Sequence, residues 1–314
     1  MREAQQTFAA RLSARHQQTG SLLCVGLDPH PEDLPEPTAA AALEFCLDLV
    51  EQTRPYALAF KPNAAFFERL GAPGWQALQT LIAAIEPEVP VILDAKRGDI
   101  SSTARAYRDA AYEGLGASAI TLHPFLGQDS VAPFLEDPSR GVFLLCRTSN
   151  PGAAELQELT LADSGQPLFQ RIAQVARTWD PGGQIGLVVG ATAPGALPAV
   201  RAANPEAWIL APGVGAQGGD LEATLSAGLR ADGGGVLISV SRGISRAADP
   251  AAAAAALVQR MAGARAADVS DERGALAAAL IDSGCVRFGS FKLKSGLMSP
   301  SISTFGGWSA PRDS

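Results

Sequence analysis

Charged residues of both signs crowd one short stretch, Asp94-Ala95-Lys96-Arg97-Gly98-Asp99-Ile100, directly after the apolar run Pro90-Val91-Ile92-Leu93. Side chains alternate faces in an extended segment, so Asp94 and Lys96 are expected to point the same way, while a turn at Gly98 lets Asp99 swing elsewhere. The outcome is an ammonium held among carboxylates at the end of a buried strand. An ion pair capping a strand is the ordinary reading of such a pattern, but composition argues for more. The chain has 25 Lys plus Arg, of which only Lys61, Lys96, Lys292 and Lys294 are lysines. Arginine cannot release a proton near neutral pH and lysine can, so a lysine that resists this bias is one whose ammonium is needed. Lys61 also closes an apolar run, Tyr56-Ala57-Leu58-Ala59-Phe60.

These two lysines belong to a series. Apolar runs recur at Leu22–Leu27, Tyr56–Lys61, Val91–Lys96, Ser118–His123, Val142–Cys146, Ile185–Gly190, Trp208–Ala211 and Val236–Val240. Such runs suit strands buried on both faces. Helical patterns such as Thr38–Gln52, Trp75–Ile85 and Ser102–Glu113 separate the early ones, and the series fits within about 240 residues, the size of a (β/α)8 TIM barrel. An open doubly wound α/β sheet is the main competitor. The barrel is favoured because Asp28, Lys61, Asp94, Lys96, His123, Thr148 and Arg242 all follow an apolar run, at the strand ends where barrels place their chemistry. Gly-rich turns after the last two runs suit a phosphate, to which Arg242 would add a bidentate charge. Ahead of the series, Phe8 and Leu12 mark an amphipathic helix that would close the bottom of the fold.

A formal charge of −7 argues against nucleic-acid and membrane-surface partners, and any anionic ligand must be held by local positive groups. Met1 to Gly20 has no apolar signal core and no run approaches the ~18 residues of a membrane span, so a cytoplasmic protein is expected. Cys24, Cys46, Cys146 and Cys285 lie far apart and read as buried thiols in a reducing compartment. His16, His30 and His123 are too scattered for a metal site, and His123 is expected to line a pocket or make a hydrogen bond rather than bind a metal.

Together, Leu27-Asp28-Pro29, Phe60-Lys61-Pro62-Asn63, Asp94 to Ile100, Thr148-Ser149-Asn150-Pro151-Gly152, Pro212-Gly213-Val214-Gly215 with Gln217, and Ser241-Arg242-Gly243 resemble orotidine 5′-monophosphate decarboxylase, in particular its second subgroup. The resemblance implies a TIM barrel that uses no cofactor and no metal, converting orotidine 5′-monophosphate to UMP and carbon dioxide in the last step of de novo pyrimidine synthesis. It implies that Lys96 protonates the C6 carbanion, with Asp94 and Lys61 completing a charged chain and Asp28 binding ribose hydroxyls. Asp99 and Thr103 would reach a partner's site in a homodimer. Ser149, or Thr148, would bind the pyrimidine, and Gln217, Arg242 and the Ser241 backbone would bind the phosphate. Related sugar-phosphate synthases share a D-x-K-x-x-D pattern but recruit Mg²⁺, and a catalytically silent nucleotide-binding protein is the alternative from another class.

Residues 1–265 are therefore read as the barrel and 266–314 as a separate, incomplete, poorly ordered extension. Within the latter, about residues 274–300 resemble the opening of orotate phosphoribosyltransferase. Transferase activity is not expected, since the acidic pyrophosphate-binding segment of that family has no counterpart here. A truncated or frameshifted fusion is favoured over a docking tail.

Overall fold

A computed structural model describes residues 6–265 apart from 181, 216 and 217, together with two strands nearer the C-terminus. The chain divides into two compact units, Met1–Ala262 and Gly263–Ser314.

In the first unit the eight apolar runs become eight parallel strands: β1 (Leu23–Leu27), β2 (Ala59–Pro62), β3 (Ile92–Arg97), β4 (Ala119–Leu122), β5 (Gly141–Arg147), β6 (Ile185–Val189), β7 (Ile209–Pro212) and β8 (Val236–Val240). Their order is β2-β1-β8-β7-β6-β5-β4-β3. Two isolated parallel bridges, Phe60 to Val91 and Asn63 to Asp94, join the two ends of that order, and the Phe60 N–H donates to the Pro90 carbonyl at 2.9 Å. The sheet is a TIM barrel, and the open-sheet alternative falls. Strands β1, β2, β4, β6 and β8 are buried along their whole length, whereas β3 becomes accessible from Asp94 onward. Burial on both faces is what an unbroken apolar run demands, and departure from it marks where β3 enters the cavity.

Helices cover the outside, each presenting one apolar stripe. In α2 (Ala39–Thr53), the buried residues Ala42, Cys46, Leu49, Val50 and Thr53 repeat with helical spacing, and the Thr38 hydroxyl caps the first turn by accepting the Ala41 N–H at 3.2 Å. Among the described residues, a final helix over 250–265 follows β8. No helix among the described residues is long and apolar enough to cross a membrane.

The barrel floor is sealed by α1 (Phe8–Thr19), as its pattern predicts. Phe8 and Leu12 are buried, and the Phe8 ring meets Phe143 edge-on at 6.1 Å. Gly141 opens β5 beneath that ring; a β-carbon there would stand 2.1 Å from it, so only glycine lets the helix settle. Polar clamps complete the seal. Arg11 donates to Ser118 Oγ at 2.9 Å and pairs with Glu86 at 2.5 Å, while Arg15 donates to the Ala57 and Arg54 carbonyls. The partners lie just before β2, β3 and β4 or at the start of β5, so the floor is at the N-terminal ends of the strands.

The second unit contributes β9 (Val286–Lys292) and β10 (Met298–Ser303), which pair antiparallel with a register shift between Ser299 and Ser301. The rest of the transferase-like stretch lies outside the described residues.

Candidate active site

At the opposite end from α1, the strand ends open into a cavity of about 690 Å³. Lys61 from β2 and Asp94 from β3 meet there, Nζ to Oδ2 at 2.9 Å, and Lys96 Nζ stands 2.5 Å from Asp94 Oδ1. The Lys61 side chain is 8% exposed and that of Lys96 48%, so Lys96 carries the ammonium that a ligand can reach. Burial works against the charge on Lys61, but Asp94 and then Asp28 outweigh it and hold its pKa above the usual lysine range. Burial likewise opposes ionisation of Asp94, yet Lys61 and Lys96 drive its pKa well below the usual carboxylate range. Both remain charged through neutral pH.

Lys96 does not reach this position by simple alternation. Its φ is +49°, in the left-handed region, and the β3–β4 register breaks there: β3 takes four residues from Leu93 to Arg97 while β4 takes two from Ile120 to Leu122. The bulge throws Lys96 into the cavity. Thr121, between those two β4 residues, lies against it. Its Oγ1 accepts the N–H groups of Ala95 and Lys96 at 3.0 and 2.9 Å and donates to Asp94 Oδ1 at 3.2 Å.

The remaining residues singled out from the sequence divide into three groups. Asp28, Thr148, Ser149, Ser241 and Arg242 line the same cavity as the lysines. Asp28 Oδ1 and Ser241 Oγ are buried without a hydrogen-bond partner among the described residues. The Thr148 hydroxyl is engaged with Asn150 Oδ1 at 2.7 Å and with the Gln157 amide. Ser149 accepts the Thr192 hydroxyl through its carbonyl at 3.1 Å. Ser241 comes close to β1 because Gly26 faces it, where a β-carbon would be 2.7 Å from Ser241 Cβ. Asp99 and Thr103 form the second group and lie outside the cavity lining. Asp99 Oδ1 accepts the Ile100 N–H at 2.8 Å, and Thr103 is exposed on α4 (Ser101–Asp109). Gln217 falls outside the described residues.

His123 departs from expectation. It does not line the cavity, and its Nδ1 is buried without a hydrogen-bond partner among the described residues. Its ring lies flush with the turn at Gly98, where a β-carbon would be 2.1 Å from Nε2. The reading of Cys24 as a buried thiol agrees with the structure, burial pushing its pKa up to about 12. Asn63, Phe66, His30 and Gln157 also line the cavity without having been singled out. Asn63 was legible as the second residue after Lys61, and it caps α3 (Ala64–Glu68) by accepting the Ala65 N–H at 3.1 Å.

The model of the Orotidine 5′-phosphate decarboxylase / HUMPS family matches residues 21–257. The chain belongs to this family. Among curated relatives, the orotidine 5′-phosphate decarboxylase of Roseiflexus castenholzii is 50% identical over 241 residues, covering 74% of this chain and 88% of that one. The solved structure of Leishmania donovani OMP decarboxylase is 50% identical with a TM-score of 0.76 and covers 82% of this chain and 98% of its own. Leishmania donovani UMP synthase is 52% identical with a TM-score of 0.79; it covers 95% of this chain, which spans 64% of the UMP synthase chain. The decarboxylase-family segment thus contains all eight strands and every residue of the Lys61–Asp94–Lys96 line.

Proposed function

We propose that this chain decarboxylates orotidine 5′-monophosphate to UMP and carbon dioxide. The observation that carries the reading is the Lys61–Asp94–Lys96 line, closed at 2.9 and 2.5 Å, with the second ammonium open to the cavity. Loss of carbon dioxide from C6 of a pyrimidine leaves an unstabilised carbanion. Catalysis then depends on fixed charge that favours the transition state over the bound substrate. Lys96 supplies that charge and then the proton. Asp94, kept ionised by two lysines, holds Lys96 in place and turns a negative charge toward the departing carboxylate. Asp28 takes ribose hydroxyls with its unpartnered oxygen. Arg242, the Ser241 backbone and Gln217 take the phosphate, whose distant binding energy orders the ring for reaction. Ser149 is favoured over Thr148 for the pyrimidine because the Thr148 hydroxyl is already engaged.

Asp99 and Thr103 act in a partner's site within a homodimer. This is supported by their place outside their own cavity and by exposed apolar side chains in the same neighbourhood: Ile100, Tyr107, Phe125 and Leu126. Residues 266–314 hold a partial phosphoribosyltransferase-like segment, not a complete domain, a reading supported by the greater coverage of this chain by UMP synthase than by the separate decarboxylase.

Purified protein mixed with orotidine 5′-monophosphate should lower its ultraviolet absorbance as UMP forms, equally well after treatment with EDTA. A strict requirement for Mg²⁺ would select the sugar-phosphate reading, and UMP binding without turnover would select the silent nucleotide binder.

A further inference from the structure

We propose that Thr121 is a positioning residue for decarboxylation, its hydroxyl setting both the backbone of Lys96 and the carboxylate of Asp94. The inference rests on the reading of Lys96 as the reacting ammonium. At the bulge, β3 runs ahead of β4 between Leu93 and Arg97, and the ladder is broken across Ala95 and Lys96. Their N–H groups both end on Thr121 Oγ1, at 3.0 and 2.9 Å. A hydroxyl has two lone pairs and one proton. Both lone pairs are thereby taken, and the proton is directed at Asp94 Oδ1 at 3.2 Å, the oxygen that also faces Lys96 Nζ.

Thr121 therefore lines the cavity with no hydrogen-bonding capacity left for a substrate, which separates it from the binding residues. It is 1% exposed, so solvent has little access to replace it. A long side chain at φ +49° is held only where the surroundings over-determine it. The Thr121 hydroxyl is what binds the strained segment to β4. Without it two part-buried donors lose their acceptor, the backbone relaxes, and the ammonium moves from the reacting carbon. Groups after β1 and β8, including Asp28 and Arg242, make no hydrogen bond to this hydroxyl.

Thr121→Val replaces the hydroxyl by a methyl of similar shape, and Thr121→Ser keeps the hydroxyl. The measurements are kcat and KM for orotidine 5′-monophosphate and the shift in melting temperature induced by UMP, on the full chain. In Thr121→Val, kcat should fall on the order of 100-fold, the effect of misplacing a reacting group by about 1 Å, with KM and the UMP shift close to wild type. Thr121→Ser should recover most of the lost rate. A Thr121→Val enzyme within threefold of wild-type kcat would overturn the role, as would a Thr121→Ser enzyme as slow as Thr121→Val. If Thr121→Val yields no folded protein, Thr121→Ala is judged by the same criteria. Absence of turnover in the wild-type chain overturns the functional reading itself, whereas an unaffected Thr121→Val in an active background overturns only the role of Thr121.

Discussion

Asp94 is the residue on which the others converge: Lys61 holds one oxygen and Lys96 with Thr121 the other. An arginine at position 96 would keep the positive charge but would not give up a proton near neutral pH. Lys96→Arg should therefore lower kcat by about 10²- to 10⁴-fold, the usual worth of a placed general acid, while the protein remains folded by circular dichroism. Retention of a tenth of the wild-type rate would remove Lys96 from the role of proton donor. The scarcity of lysine was enough to pick out Lys61 and Lys96, because a residue type that composition disfavours carries information wherever it persists. Alternation placed Lys96 beside Asp94 for an incomplete reason, since the contact depends on a bulge and a positive φ. Thr121 was illegible. A threonine within an apolar strand is common, and what distinguishes this one is a register break in its neighbour that no local pattern records.

At the level of elements, all eight strands were legible as apolar runs, because strands buried on both faces have no polar alternation to confuse the reading. Their starts were less so. The run beginning at Tyr56 becomes a strand only at Ala59, as Tyr56 and Ala57 are still turned back onto the end of α2 by bonds to the Thr53 carbonyl. Closure between β2 and β3 rests on two isolated bridges and was expected only from the positions of polar residues. The floor helix was readable from Phe8 and Leu12, whereas its arginine clamps were not, since their acceptors are mostly carbonyls and carry no sequence signal. Leu12 is fully buried in that floor. Leu12→Ala should cost about 2–5 kcal/mol of stability, seen as a lower midpoint in urea, with kcat retained below the transition because the cavity lies at the other end of the strands. Loss of kcat in a protein of unchanged stability would show instead that floor and site are coupled.

On the scale of the whole molecule, a chain of net charge −7 is assigned an anionic substrate, which is reasonable only if attraction is local. Lys61, Lys96 and Arg242 gather that local charge at one cavity. Whether one chain suffices is decided by Asp99. If Asp99 serves a neighbouring site, Asp99→Ala and Lys96→Ala enzymes, each nearly inactive, should regain up to about a quarter of wild-type activity when mixed in equal amounts and allowed to exchange subunits. That is the statistical share of intact sites in a random mixture of symmetric dimers. No recovery, with exchange demonstrated by mass spectrometry, would confine each site to one chain.

The sealed floor has a practical side. Since α1 occupies the end of the barrel remote from the Lys61–Asp94–Lys96 cavity, a support coupled through the N-terminal segment would be attached at the blind end of the barrel. An immobilised film prepared in that way would keep its mouths facing the flow, and its turnover per molecule would match that of the free enzyme.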